Sequence, residues 1–170
     1  MGKNCTIVSL SGKKWNKVVE VFRGISAVNL DAKGRLSIPS KYREALGGQS
    51  LVLTIDTEDA CLQLYPMARW SVIEKQLESL PTFNPAARRI QRLLLGHATE
   101  CELDSQSRIL VPSVLREHAD LVKKVMFVGQ GKRFEIWSES LWTKVRQEWI
   151  DQKSDSVELG QSAVLEELAL

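Results

Sequence analysis

The sequence lacks the features typical of secreted, disulfide-bonded, metal-binding and membrane-spanning proteins. Its three cysteines, Cys5, Cys61 and Cys101, are an odd number at wide spacings, so they predict neither a disulfide framework nor a metal site. No apolar run approaches the ~20 residues of a membrane span. The N-terminal lysines are not followed by the apolar stretch and cleavage site of a secretory signal. We therefore expect a protein of the reducing cytoplasm, with no membrane partner.

A strong charge of one sign is also missing. The net charge is only +2, with four lysines in residues 1–20 and an acidic excess in residues 150–170. So small an excess does not by itself indicate nucleic-acid binding. There is no Ser/His/Asp set, no metal cluster and no glycine-rich phosphate loop, and His97 and His118 have no neighbouring cysteine or acid at ligand spacing. We expect no catalysis, no cofactor, no metal and no small-molecule substrate.

An internal duplication is the strongest positive signal. The segment that begins at Asp31 recurs 73 residues later, beginning at Asp104. A second similarity follows, because Leu62–Tyr65 with Trp70 resembles Phe134–Trp137 with Trp142. The first pair of segments shares six identities in register, namely Asp31/Asp104, Arg35/Arg108, Pro39/Pro112, Ser40/Ser113, Arg43/Arg116 and Glu44/Glu117. The chain therefore contains two copies of one folding unit, too few for a solenoid.

Each copy predicts the element order β-β-α-β-β-α, which is an α+β fold. Alternating residues on both sides of 31–34 predict a local hairpin, and the same pattern around 104–107 predicts a second one. A short helix follows Pro39, and Gly47-Gly48 is expected to end it through a left-handed residue. Two apolar strands come next in each copy, at 51–55 and 62–65 and at 125–128 and 134–137.

Longer helices complete the two units. One runs from Pro66 to Pro81, and Asn84-Pro85 begins another that Gly96 is expected to end. Ser138 is expected to cap the last helix, whose tryptophans pack within the unit or at a subunit interface. The predicted organisation is an N-terminal tail at 1–20, one domain at 21–80, a linking helix at 81–97, a second domain at 98–150 and an acidic tail at 151–170.

The loop between the first two strands of each unit has a composition suited to ligand contact. In Asp31-Ala32-Lys33-Gly34-Arg35, the carboxylate of Asp31 can accept hydrogen bonds from the N–H groups of its own loop. Gly34 stands where such a loop often needs a positive φ. Lys33 and Arg35 would then project from a braced turn. The alternative is that Asp31 and Arg35 only pair with each other to hold the turn, although the duplication and Lys33 favour a binding surface.

Residues 21–24 and the segment from Asp31 to Arg43 resemble the MraZ family of bacterial transcriptional regulators, which have two AbrB-like units (SpoVT-AbrB domains). Arg88–Ala98 and Gly129-Gln130 extend the resemblance over roughly residues 21–150, with 1–20 outside it. The resemblance implies swapped-hairpin β/α units in a pseudo-two-fold arrangement and a ring-like homo-oligomer. It also implies a nucleoid-associated repressor of its own gene and of the adjacent division and cell-wall gene cluster, bound to short direct repeats in double-stranded promoter DNA.

On this resemblance, Arg35 is the leading DNA contact and Lys33 lies beside it. Arginine is the better base contact, because its fork matches guanine O6 and N7, whereas lysine more often meets phosphate. Arg108 is the equivalent position of the second unit, where Gln106 and Ser107 replace lysine and glycine. The residues expected to structure the two loops are Asp31, Gly34 and Asp104.

Other basic residues have an open assignment. Lys41 and Arg43 either contact phosphates or solvate a helix face. For the arginines at 88, 89 and 92, a solvated face or ion pairs between subunits is favoured over a second basic patch. Two rival functions are considered. A single-unit AbrB-type protein such as an antitoxin would lack the tandem duplication, and a scaffold built through the tryptophan faces would not shift DNA in a binding assay.

Overall fold

The computed structural model describes residues 21–152 of the chain. The expected N-terminal tail, 1–20, and most of the expected acidic tail, 153–170, lie outside the described residues. The elements, in chain order, are β1 (Phe22–Asn29), β2 (Arg35–Ser37), α1 (Ser40–Leu46), β3 (Leu51–Ile55), β4 (Leu62–Pro66), α2 (Met67–Glu78), α3 (Pro85–His97), β5 (Thr99–Cys101), β6 (Arg108–Leu110), α4 (Ser113–His118), β7 (Lys124–Gly131), β8 (Arg133–Ser138) and α5 (Glu139–Gln152).

A six-stranded antiparallel sheet forms the centre of the molecule. Its strand order is β1-β7-β8-β4-β3-β5, and β2 and β6 form a separate two-stranded sheet. Each strand of the first repeat has its counterpart at the mirrored place in this order, with β4 beside β8 at the middle. The expected α+β fold and pseudo-two-fold arrangement are confirmed.

The repeats exchange their first two strands. β1 pairs with β7 of the second repeat along its whole length, from Phe22↔Gly131 to Asn29↔Lys124. β5 pairs with β3, and β2 pairs with β6, again across the repeats. The local hairpins are therefore wrong as pairings, because β1 and β2 share only the single bridge Leu30↔Leu36. An alternating pattern predicts a strand but does not predict the strand with which it pairs. The exchange of strands buries Leu36 in a core that both repeats share.

That core lies on one face of the large sheet. Leu36 of β2 and Ile109 of β6 are both fully buried in it. An aromatic cluster fills its centre, where the Phe134 ring lies 4.2 Å from that of Phe22 and 4.8 Å from those of Tyr42 and Phe127, measured between centroids. Because both repeats contribute to this cluster, burial of its apolar surface stabilises them as one body.

The longer helices cover the opposite face of the sheet. α2 and α3 pack Trp70 and Leu94 against β3 and β4, while α5 packs Trp142 against β7 and β8. Trp149 of α5, one of the tryptophans expected to pack within the unit or at a subunit interface, is 44% exposed, and its ring contacts those of Trp137 and Trp142. Among residues 21–152, no helix combines the length and the apolar character that crossing a membrane requires.

Helix boundaries follow the sequence signals except at the ends of α2 and α3. α2 ends at Glu78, before the expected stop at Pro81. The Asn84 side chain accepts hydrogen bonds from the N–H groups of Ala86 and Ala87 and so caps α3 as expected. α1 ends at Leu46, and the left-handed residue after it is Gly48, with φ 71°. The expected stop at Gly96 is wrong, since α3 continues to His97. A single glycine costs a helix only about 1 kcal/mol, which packing of α3 on β3 offsets.

Candidate nucleic-acid interface

The pair of strands β2 and β6, here called the ribbon, presents one polar face. Its register is Arg35↔Leu110, Leu36↔Ile109 and Ser37↔Arg108. Side chains alternate along a strand, so burial of Leu36 and Ile109 in the core places the other four on the outer face. The two arginines therefore lie on a diagonal of one surface, with Ser37 and Leu110 on the other diagonal.

The first loop, Asp31–Arg35, is built around one carboxylate. Oδ1 of Asp31 accepts the N–H groups of Lys33 (2.9 Å) and Arg35 (3.0 Å), and Oδ2 accepts Nε of Arg35 (2.6 Å). The hydrogen bond from the Arg35 backbone, together with the Arg35 side chain, holds the pKa of Asp31 below its ordinary value. Gly34 has φ 80°, the left-handed conformation that the sequence predicts for it.

The second loop, Asp104–Arg108, repeats this geometry. Oδ1 of Asp104 accepts the N–H groups of Gln106 and Arg108, and Oδ2 accepts Nε and Nη2 of Arg108 at 2.9 and 2.7 Å. The side-chain hydrogen bond from Arg108 lowers the pKa of Asp104 to about 2. Ser107 takes the position of Gly34 with φ 58°, so a non-glycine residue holds the same conformation here.

The two loops are joined across the pseudo-two-fold axis. The N–H of Val111 donates to the Gly34 carbonyl (2.8 Å), and the N–H of Ile38 donates to the Ser107 carbonyl (3.0 Å). Nη1 of Arg108 also lies 3.7 Å from Oδ2 of Asp31. The loops and the ribbon thus form one continuous surface rather than two independent sites.

The arginines of this surface differ in what remains available to a ligand. Arg35 donates through Nε alone, and neither of its terminal nitrogens has a hydrogen-bond partner among residues 21–152. Arg108 commits Nε and Nη2 to Asp104, and its Nη1 faces Asp31. Lys33 is exposed at the tip of the first loop. Arg35 therefore braces the turn through Nε, and its two terminal nitrogens remain available as donors.

Lys41 and Arg43 lie on α1, next to the ribbon but not on its outer face. Nζ of Lys41 lies 4.8 Å from the centroid of the Tyr42 ring and close to Gly24 of β1. Nε of Arg43 donates to the Ile38 carbonyl (2.9 Å), where β2 leads into α1. Both residues are exposed. This arrangement suits contact with a backbone phosphate better than contact with a base.

Sequence reasoning missed two residues that the structure brings to this surface. Arg116 of α4 places its guanidinium against Gly34, so that a Cβ added to Gly34 would lie 3.0 Å from Cζ of Arg116. The duplication could have indicated Arg116, because it is the counterpart of Arg43 in the second repeat. Leu110 is the second, 60% exposed beside Arg35. An apolar residue at the end of an alternating strand carried no signal of its own.

The arginines of α3 form a separate feature. Arg88, Arg89 and Arg92, with Pro85 and Leu93, line an open groove of about 500 Å³. α3 packs on the sheet face opposite to the ribbon through Ile90, Leu94 and Leu95, while Leu93 also contacts the shared core. None of the groove residues lies on β2, β6 or their loops, so this groove is a site separate from the ribbon. Over residues 21–152 there is no group of three or more Cys, His, Asp or Glu side chains placed to hold a metal ion.

The sequence of this chain is similar to those of known proteins. The model of the MraZ protein family matches residues 21–93 and again residues 94–161. A relative from Legionella pneumophila (strain Corby) is 53% identical over 137 residues, which are 79% of this chain and 90% of the relative. One from Coxiella burnetii (strain Dugway 5J108-111) is 53% identical over 133 residues, 76% and 88% of the two chains.

A third relative, from Pectobacterium carotovorum subsp. carotovorum (strain PC1), is 50% identical over 141 residues, 81% of this chain and 93% of its own. All three relatives carry the name transcriptional regulator MraZ. Two family matches in tandem agree with the two repeats of the sheet. The chain belongs to the MraZ family of transcriptional regulators.

Proposed function

We propose that this protein binds double-stranded promoter DNA sequence-specifically through the outer face of the ribbon. The observation that carries the proposal is the state of Arg35, whose Nε is fixed by Asp31 while its terminal nitrogens are left without a partner among residues 21–152. The major groove of B-DNA is wide enough for a two-stranded ribbon. An arginine held in one orientation can donate both terminal N–H groups to guanine, which is the commonest specific base contact.

The remaining cations of the surface support this role. Lys33 is exposed beside Arg35, and Lys41 and Arg43 lie on the adjacent helix, where they would meet phosphates. The carboxylates of Asp31 and Asp104 offset part of the charge. One ribbon therefore supplies few net ionic contacts, each of which salt weakens.

Several ribbons acting together would overcome this weakness. A ring-like homo-oligomer would present many copies of the ribbon, and linked binding events raise affinity by ~10²–10⁴ without any new contact. Short direct repeats in the promoter match such an arrangement, since each repeat would engage one ribbon. Bound in this way upstream of its own gene and the adjacent division and cell-wall cluster, the protein would repress both.

The test is a mobility-shift titration with the DNA immediately upstream of the gene for this protein. Arg35→Ala should abolish specific binding, because one bidentate contact contributes ~1–3 kcal/mol and the loss recurs in every engaged ribbon. Arg108→Ala should weaken binding less, since most of its donors are already committed to carboxylates. Arg146→Ala on α5, an exposed arginine on the other sheet face, is the matched control and should bind like wild type.

Each outcome of this titration decides between alternatives. Equal affinity of wild type and Arg35→Ala for the upstream DNA would refute the role of the ribbon. Absence of any specific shift by the wild-type protein would refute the DNA-binding proposal itself and favour a scaffold. A reporter driven by the same upstream DNA completes the test, because repression predicts higher expression with Arg35→Ala than with wild type.

A further inference from the structure

The outer face of the ribbon contains one large apolar side chain that the contacts above leave unexplained. Leu110 is 60% exposed, whereas Ile109 beside it is fully buried. A single exposed leucine is ordinary on a protein surface. This leucine, however, stands on the same face as both loop arginines, at one end of the ribbon surface proposed to enter the groove.

The register fixes which arginine Leu110 accompanies. Leu110 is the direct cross-strand partner of Arg35, and directly opposed residues have Cβ atoms about 4.5–5.5 Å apart. Successive bases of a DNA strand are spaced about 3.4 Å along the axis. A leucine beside an arginine that contacts one base therefore lies within reach of the next base pair. The one apolar group that base pairs present in the major groove is the C5-methyl of thymine.

The counterpart position of the other repeat has different chemistry. Ser37, which corresponds to Leu110 through the duplication, is the partner of Arg108. A serine hydroxyl donates and accepts hydrogen bonds with several base edges and has no preference for a methyl group. One end of the ribbon thus combines Arg35, Leu110 and Lys33, and the other combines Arg108, Ser37 and Gln106.

We propose that Leu110 is a specificity-determining residue that contacts the C5-methyl group of a thymine next to the base pair contacted by Arg35. Ser37 makes no such contact at the other end, so a backbone with pseudo-two-fold symmetry recognises a site without two-fold symmetry. Each ribbon then binds DNA in one orientation, which suits sites repeated head to tail. This inference rests on the proposed function and adds the chemical identity of one recognised base.

The experiment uses the full-length protein and synthetic duplexes of the upstream segment that the wild-type protein protects in a footprint. In each duplex a single thymidine is replaced by deoxyuridine, which removes only the C5-methyl group. Wild-type affinity should fall about fourfold at one thymine of each repeat, the factor that corresponds to one buried methyl group. Leu110→Ala should bind the unsubstituted duplex more weakly and should lose its response to that substitution.

Two further variants make the result specific. Leu110→Met keeps an apolar side chain of similar volume and should keep the thymine response. Val72→Ala removes another exposed aliphatic side chain, on α2 at the opposite sheet face, and should leave the response unchanged. Leu110 is exposed, so its alanine variant should assemble like wild type, which light scattering checks before the titrations.

The outcomes separate this inference from the proposed function. A wild-type protein that binds the duplex with no response to any deoxyuridine overturns the role of Leu110 and leaves DNA binding intact. A response that Leu110→Ala retains in full also overturns it. A wild-type protein that protects no upstream segment overturns both proposals together.

Discussion

Gly34 provides a quantitative test of the loop geometry, because the second repeat already contains the relevant substitution. Its φ is 80°, and an added Cβ would lie 3.1 Å from the carbonyl oxygen of Val111 and 3.0 Å from Cζ of Arg116. Ser107, the counterpart residue, adopts φ 58° with a side chain. Gly34→Ser adds a side chain to this left-handed conformation, and Ser107→Gly removes one from it, so the two substitutions should change the conformational strain in opposite directions.

The magnitudes follow from conformation and space. A left-handed conformation costs an L-residue roughly 1–2 kcal/mol, so Gly34→Ser should destabilise the fold by at least that amount. The Val111 carbonyl is backbone, and the N–H of Val111 donates to the Gly34 carbonyl, so crowding adds to the cost. A total of about 2 kcal/mol corresponds to a fall in Tm of roughly 4–8 °C for a chain of this size. Ser107→Gly removes the strain of a side chain at positive φ, but glycine also raises the conformational entropy of the unfolded chain, which costs roughly 0.5–1 kcal/mol. The two effects oppose each other, so the Tm of Ser107→Gly should stay near that of wild type.

Thermal unfolding by circular dichroism measures both variants beside wild type. Protein concentration must be the same in all samples, since assembly shifts Tm by mass action. Gly34→Ser should also bind the upstream DNA more weakly, because displacement of Val111 or Arg116 alters the loop that orients Arg35. A Tm of Gly34→Ser equal to that of wild type, or one lower for Ser107→Gly than for Gly34→Ser, would refute this account of the loops.

The other predictions concern charge, assembly and the chain terminus. Because the pKa of Asp104 is lowered to about 2, its ion pair stabilises the fold fully above about pH 3.8 and loses this effect as pH falls toward 2. The Tm difference between wild type and Asp104→Asn should therefore shrink over that range, and a constant difference would contradict this prediction. Affinity for the upstream DNA should fall steeply with NaCl, and a flat log–log slope would exclude phosphate contacts. Light scattering at micromolar concentration should give a closed oligomer, and a monomer would contradict the ring. A protein that starts at Val21 should assemble and bind the upstream DNA specifically, and unfolding on truncation would place residues 1–20 in the fold.

The sequence was sufficient to predict the elements and the chemistry of the loops. The duplicated Asp-x-x-x-Arg spacing predicted a carboxylate that accepts its own loop's N–H groups, which Asp31 and Asp104 both do. Gly34 was expected at positive φ, and Asn84 was expected as a helix cap. These features are local, so the residues that determine them are neighbours in the chain.

The strand pairings between the two repeats could not be predicted from the local alternation of apolar and polar residues. Alternation around Asp31 predicts two strands equally well whether they pair with each other or with β7 and β6, and only the family resemblance indicated the exchange. The contact of Arg116 with Gly34 joins residues on different repeats for the same reason. Leu110 depends on this exchange too, since its position beside Arg35 exists only in the β2–β6 pair.

The pairing of β1 with β7 has a consequence for the order of events during synthesis. Phe22 pairs with Gly131, so β1 leaves the ribosome about a hundred residues before its partner strand is complete. At the usual 5–20 residues per second, this leaves β1 without its partner for about 5–20 s. Phe22, whose ring belongs to the aromatic cluster, is exposed during this interval. The chain closes its core only when the second repeat emerges, and its slow folding steps are expected to follow translation of β7 rather than to proceed repeat by repeat.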